Sequence, residues 1–259
     1  MSGIVPSGQQ DCKVICTGYR MGHTEKNLQV IATIETDFPE KFGIPRQSGL
    51  VESLKGRIIF TPEFRHPDAV RGIEEFSHLW LLWGFSKAKQ KTFVPTVAPP
   101  RLGGKVRKGV FATRAPFRPN GIGLSSVKLE KVFIDEAFGP ILIVSGVDLL
   151  NGTPIYDIKP YLAYTDSHPE AVGSFAEVHC KDRIEVIFPE NLKQRLPCTL
   201  QDTVKEVLAQ DPRAAYNKQP DYVYGMAFGG YDIRFTVDKG QLFVCDVIER
   251  MDGKCDKIK

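Results

Sequence analysis

Three short stretches hold residue types suited to gripping a ligand and moving a small group. Pro45-Arg46-Gln47 sets a forked cation beside an amide directly after a rigid turn. A guanidinium suits a carboxylate, and the pair also suits the edge of a purine; the plain alternative is an ordinary surface turn. Phe111-Ala112-Thr113-Arg114-Ala115-Pro116-Phe117-Arg118-Pro119-Asn120-Gly121 places two arginines between prolines and aromatic rings. Backbone that constrained fits a preorganised binding loop. Asp148-Leu149-Leu150-Asn151-Gly152-Thr153-Pro154 holds an Asn-Gly turn and leads into Tyr156-Asp157-Ile158-Lys159-Pro160-Tyr161. On extended chain Asp157, Lys159 and Tyr161 share one face. There Asp157 and Lys159 either serve a site or form a structural ion pair.

The middle loop lies inside an unusual run of charge. From Phe76 to Lys128 there is no Asp or Glu, while ten Lys and Arg accumulate: Lys87, Lys89, Lys91, Arg101, Lys105, Arg107, Lys108, Arg114, Arg118 and Lys128. The whole chain carries 34 basic and 31 acidic residues, so the rest holds 24 basic against 31 acidic groups. Positive charge gathered in this way, on a Gly/Pro-shaped segment with Phe111 and Phe117 interleaved, suits phosphates and stacked bases.

Several familiar chemistries are excluded. Gly121-Ile122-Gly123 is followed by strand-like sequence without the acidic residue a dinucleotide fold requires. There is no phosphate loop, no nucleophile elbow and no paired-His zinc helix. His66, His78, His168 and His179 lack metal-binding spacing, and His78 reads as a core-edge histidine. Six cysteines, at 12, 16, 180, 198, 245 and 255, include only one close pair, which predicts reduced thiols and no metal. The first residues lack a secretory pattern and no apolar run could span a bilayer, which predicts a cytoplasmic protein without membrane attachment.

A chain of 259 residues with 42% hydrophobic content can bury a large core. Residues 1–26 read as a leader. Strands are expected at 28–35, 57–61, 78–85, 107–114, 123–134 and 140–150, with one short helix at 68–76, and the two prolines of 152–162 rule out a helix interior there. Many short strands with Gly/Pro turns predict a mainly β barrel or sandwich over 27–165. A polar, aperiodic stretch near 163–182 marks the boundary of a small α+β unit over 166–259. That unit has a helix over 199–211, capped by Thr199 or Asp202, and three antiparallel strands whose last turn is Asp238-Lys239-Gly240.

The loops above, with RHPDAVRGIEEFSHLWLLW, VPTVAPPRLGGKVRKGVFATR, FATRAPFRPNGIGLS and IKPYL, resemble the TsaA-like (TrmO, formerly YaeB) family of tRNA methyltransferases over about residues 28–165. Val207-Leu208-Ala209-Gln210-Asp211-Pro212-Arg213-Ala214-Ala215-Tyr216 resembles the family's C-terminal signature, with Ala214 in place of Pro. The resemblance implies a single-sheet β-barrel unlike the usual methyltransferase sheet, a small C-terminal domain and a homodimer. It implies S-adenosylmethionine as cofactor and N6 of threonylcarbamoyladenosine, at position 37 of a threonine tRNA, as acceptor. Carried over by motif, the cofactor contacts fall on Pro45, Arg46, Gln47, Ser86, Lys87, Arg114, Leu124, Asn151, Gly152, Thr153 and Pro154. Ser86-Lys87 stands where some relatives have His-Gln, and Asn151 where Asp is common.

Within that resemblance, Asp157 is the candidate acceptor for the N6 proton, with Tyr161 as its hydrogen-bond partner. Lys159 or Arg118 would grip the threonyl carboxylate, which unmodified adenosine lacks. Arg101, Lys105, Arg107, Lys108 and Arg118 would meet tRNA phosphates, while Asp211 and Arg213 would serve the tRNA side or the active site from the dimer partner. A non-catalytic RNA-binding barrel, or a methyltransferase with another acceptor, is the rival reading.

Overall fold

The computed structural model describes residues 28–87, 92–99, 102–178, 182–213 and 222–250. The leader with Cys12 and Cys16, and Lys89, Lys91 and Arg101, lie outside the described residues. The first strands are Ala32–Thr36 (β1), Lys55–Phe60 (β2), His78–Gly84 (β3), Thr96–Val97 (β4), Lys108–Gly109 (β5), Ile122–Asp135 (β6), Gly139–Ser145 (β7) and Thr153–Pro160 (β8). Six of them close an antiparallel barrel in the order β1-β2-β7-β6-β3-β8, with β8 pairing back onto β1. Alternation drives the closure: Ala32, Ile34, Ile58, Leu79, Leu81, Val127 and Ile155 are all but fully buried, while their strand neighbours face outward.

Antiparallel register decides where the loops go. Thr36 pairs with Gly56, Lys55 with Ser145, Gly84 with Ile122 and Ile34 with Thr153. Strands β1, β3 and β7 therefore end, and β2, β6 and β8 begin, at one rim of the barrel. The segments 37–54, 85–121 and 146–152, which hold the three chemically rich stretches, all open there.

Inside that rim Trp83 covers Gly123 so closely that a Cβ on the glycine would lie 2.4 Å from the indole Cε2. Gly123→Ala is expected to displace the indole and cost about 1–3 kcal/mol of stability. The check is the urea midpoint: it should fall with the slope unchanged, and an unmoved midpoint would show that Trp83 yields without cost.

The second unit contains Ala163–Asp166 (α1), Phe175–Val178 (α2), Glu185–Ile187 (β9), Glu190–Lys193 (α3), Cys198–Ala209 (α4), Tyr224–Phe228 (β10), Tyr231–Asp238 (β11) and Gln241–Glu249 (β12). Its sheet runs β10-β11-β12-β9, antiparallel except for the last pair. Val204, Val207 and Leu208 of α4 are fully buried beneath it. The β11–β12 turn has Lys239 and Gly240 at φ 45° and 82°, the left-handed pair a two-residue hairpin needs.

Segment 37–54 joins the two units. Phe38 is fully buried against Phe228, ring centroids 4.9 Å apart, and Phe42 stacks near Tyr224 and Phe235. Gly43, at φ 99°, lies so near Met226 that a Cβ would come within 2.5 Å of its sulfur. Gly229 N–H donates to Asp37 C=O at 2.9 Å, and Gln210 Nε2 to Leu50 C=O at 3.2 Å.

Four expectations are corrected. Residues 107–114 form only the two-residue β5 and a 3-10 turn, Val110–Ala112, because Arg107 and Thr113 bond locally. Strand β7 stops at Ser145, since Gly146 leaves the ladder to bond Gly49 and Leu54. The helix expected over 68–76 is two 3-10 turns, Pro67–Val70 and Ile73–Glu75. Pro197, not Thr199 or Asp202, precedes α4, and no side chain caps it. Among the described residues no helix is long and apolar enough to cross a membrane, and no group of three metal-ligating side chains occurs. Cys198 and Cys245 are exposed free thiols.

Candidate active site

The rim is tied together by side chains. Arg114 donates to Gln47 Oε1, which links the second segment to the first. Gln47 Nε2 in turn donates to Arg46 C=O. Pro45 is buried and sets the exit of the chain, while Arg46 reaches Arg213 C=O at 3.4 Å. The third segment contributes Asn151, whose Oδ1 accepts from Thr36 N–H at 3.1 Å and whose N–H donates to Phe38 C=O. An amide serves that acceptor role as an aspartate would, so Asn151 holds the β1–β8 corner. Gly152 N–H bonds Ile34 C=O, Thr153 is buried, and Pro154 lies opposite Thr33. Of the β3 exit, Ser86 and Lys87 are exposed, and Lys41 Nζ holds Lys87 C=O at 3.2 Å.

Asp148 stands in the sequence as one member of a turn with no role of its own; the structure makes it central. Its carboxylate accepts from Ser125 Oγ at 2.6 Å, and Ser125 Oγ accepts from Trp83 Nε1 at 2.9 Å. Burial pushes the Asp148 carboxyl up to about 6, against the Ser125 hydroxyl, the N–H groups of Asp148 and Ser48, and the Arg114 charge, all of which favour the carboxylate. Only the fold reveals this, because β3–β6 pairing brings Trp83 to Ser125 and the β7–β8 loop brings Asp148 to the same hydroxyl.

The raised value fixes a sign. The folded protein keeps a proton on Asp148 over a window, from about pH 4 to about pH 6, in which the unfolded chain has lost it. Stability is therefore lost as pH rises through that window and stays lower above it. Asp148→Asn is expected to melt a few degrees higher than the natural protein at pH 8 and level with it at pH 4. Thermal midpoints at the two pH values check this; equal midpoints at pH 8 would show that the carboxylate carries no burial cost.

Outside the barrel wall lies a second row. Leu82 pairs with Leu124 on one side and with Asp157 on the other, and all three side chains face outward. A bulge at Tyr156 makes this possible: it lets Ile155 and Ile158 both point inward while Asp157 and Lys159 stay outside. Leu124 is 49% exposed. Asp157 Oδ2 pairs with Lys159 Nζ at 2.8 Å, and Asp157 Oδ1 accepts from Ile158 N–H at 2.9 Å.

Several expected roles change. Tyr161 shares the outward face but packs on Trp80 and His78, with ring centroids 5.4 and 6.3 Å away. It stands about 13 Å of strand beyond Asp157, so Lys159 is the partner of that carboxylate instead. Arg213 is buried in a two-pronged bond with Asp211, at 2.8 and 2.9 Å, beneath the Tyr224 ring. Those bonds hold its proton more firmly than usual. Within the chain the pair braces the Arg213 carbonyl toward Arg46. Arg118 donates to Val110 and Thr113 carbonyls at 3.2 and 2.7 Å, which fixes its own loop. Arg107 grips Thr96 twice, Lys108 lies over Phe175, and Lys105 is exposed.

The comparisons with known proteins fit this architecture. The family model of the tRNA-methyltransferase O N-terminal domain matches residues 33–167, and that of the TrmO C-terminal domain matches 176–250. The tRNA (adenine(37)-N6)-methyltransferase of Escherichia coli K12 is 41% identical over 219 residues, covering 81% of this chain and 92% of that one. Its counterpart in Eikenella corrodens is 41% identical over 65% of this chain and 95% of its own. The crystal structure of TrmO from Pseudomonas aeruginosa superposes with a TM-score of 0.67 at 35% identity, covering 85% of this chain and 98% of that one. With both domain models matched in order and a barrel of the same kind, the chain belongs to the tRNA-methyltransferase O family.

Proposed function

We propose that this chain methylates N6 of threonylcarbamoyladenosine at position 37 of a threonine tRNA, with S-adenosylmethionine as the methyl donor. The observation that carries the reading is the meeting of Gln47, Arg114, Asp148 and the 151–154 turn at one rim, next to the outward row Leu124–Leu82–Asp157.

The residues present fit such a donor. Arg114 offers a cation for an amino-acid carboxylate, and Gln47 holds it in place. Leu124 gives exposed apolar surface for a purine face. At Gly152 the space a Cβ would fill meets no atom within 4 Å, so a ligand can approach the backbone. Bound there, S-adenosylmethionine supplies an electrophilic methyl group.

The chain's own share is positioning and proton removal. In-line displacement gains most from fixed geometry, which the cross-linked loops supply. The acceptor nitrogen is poor because its lone pair is shared with the purine and the ureido carbonyl. Asp157 takes the proton from N6 as the bond forms, held toward the outer face by Lys159. The Lys159 ammonium has three N–H donors, so its bond to Asp157 leaves it able to meet the threonyl carboxylate as well. Lys159 rather than Arg118 is the grip in this reading, since Arg118 is engaged in its own loop. A homodimer completes the reading on the family resemblance.

The test uses purified protein, S-adenosylmethionine and threonine tRNA with and without the threonylcarbamoyl group, followed by mass spectrometry of the nucleosides. One added methyl on the modified nucleoside alone is expected. Equal methylation of plain adenosine would remove the carboxylate grip, and no methylation would remove the acceptor assignment.

A further inference from the structure

The segment between β3 and β6 exposes an aromatic pair that the catalytic reading leaves unused. Phe93 is 56% and Phe111 71% exposed, yet they stack on one another with ring centroids 6.2 Å apart and planes 25° from parallel. The pair is held stiffly. Val110, fully buried beside Phe111, donates its N–H to Pro95 C=O at 2.9 Å, and Arg107 ties the same two strands through Thr96. Arg118 sits over the Phe111 ring, 5.8 Å from its centroid, fixed by two carbonyls. A rigid, solvated aromatic stack marks a surface with an occupant.

Charge identifies that occupant. The run from Phe76 to Lys128 has no acidic residue, and exposed Lys105 and Arg107 stand in the same hairpin segment. A second copy of this face would set cations against cations, whereas single-stranded nucleic acid brings phosphates for the cations and a flat base for the rings. We propose that Phe93 and Phe111 form a stacking platform for an unpaired anticodon-loop base next to the methylated one. The inference rests on the tRNA reading of the site and adds where a neighbouring base goes. It also gives the Arg118 cation a purpose: it strengthens stacking by polarising the ring from one side.

The experiment compares the natural protein with Phe93→Ala/Phe111→Ala and with Phe111→Trp. Methyl transfer to modified tRNA is measured against tRNA concentration and salt, and binding is followed with an anticodon stem-loop RNA carrying 2-aminopurine beside the target. The double variant should raise the tRNA KM roughly tenfold or more, by the usual worth of a stacked base. Its kcat, its donor affinity and the salt slope of RNA binding should stay unchanged, because no cation is lost. Quenching of 2-aminopurine should disappear, and Phe111→Trp should keep both quenching and KM. An unchanged KM with active enzyme overturns the platform while leaving the methyltransferase reading intact. Quenching by the natural protein without any methyl transfer overturns the reading of function and keeps the platform. Dissociation of a dimer by the double variant, with RNA affinity unchanged, would make this face a subunit interface and sink the proposal.

Discussion

Arg114→Ala abolishes measurable S-adenosylmethionine binding in calorimetry, if the rim is the donor site. The guanidinium is the cation that Gln47 holds at the meeting of the three segments. Breaking a hydrogen-bonded charge pair that the bound donor buries costs about 2–5 kcal/mol, or roughly 30-fold to several thousand-fold in affinity. A second effect adds to it: Asp148 loses the positive charge that favours its ionised form, so the carboxyl keeps its proton to higher pH. Arg114→Lys should recover little, because an ammonium cannot reproduce a planar fork held by an amide. Donor affinity within about threefold of the natural protein for Arg114→Ala, far below that loss, would move this arginine from the donor to the tRNA.

Asp157→Ala should behave in the opposite way, keeping donor affinity and losing turnover by about a hundredfold to ten-thousandfold, the usual worth of a placed proton acceptor. Both carboxylate oxygens already have partners, Lys159 and the Ile158 N–H, which orient it outward at the bulge. The same bonds would suit a residue that only shapes the strand. Single-turnover rates separate the cases: a shaping residue would weaken tRNA binding along with the rate, whereas a proton acceptor lowers the rate at saturating tRNA. Turnover at the natural level would assign the whole acceleration to positioning.

Much of the barrel was readable in the residues because alternation and length are local. His78–Gly84 and Ile122–Asp135 lie close to where bulky apolar and β-branched runs put them, and the last three strands follow their period. The face shared by Asp157, Lys159 and Tyr161 was legible for the same reason. What the residues could not show was set by register. Trp83, Ser125 and Asp148 are separated by 42 and 23 positions, and only β3–β6 pairing with the turn after β7 brings them together. The basic run misled in part for a related reason. Charge counts ignore what each cation touches: Lys108 lies over Phe175 and Arg118 bonds local carbonyls, while Lys105 and Arg107 stay exposed.

Phe38 and Gly43 lie buried against Phe228 and Met226, with half-buried Phe42 near Tyr224, and three residues later the same stretch of chain delivers Arg46 and Gln47. The two halves of this enzyme are therefore coupled through their packing. Grafting the tail of a relative onto this barrel would demand matching rings and a matching glycine hollow, or the tip that bears Arg46 and Gln47 would be set askew. Swapped chimeras should thus retain methylation only where those few contacts travel together.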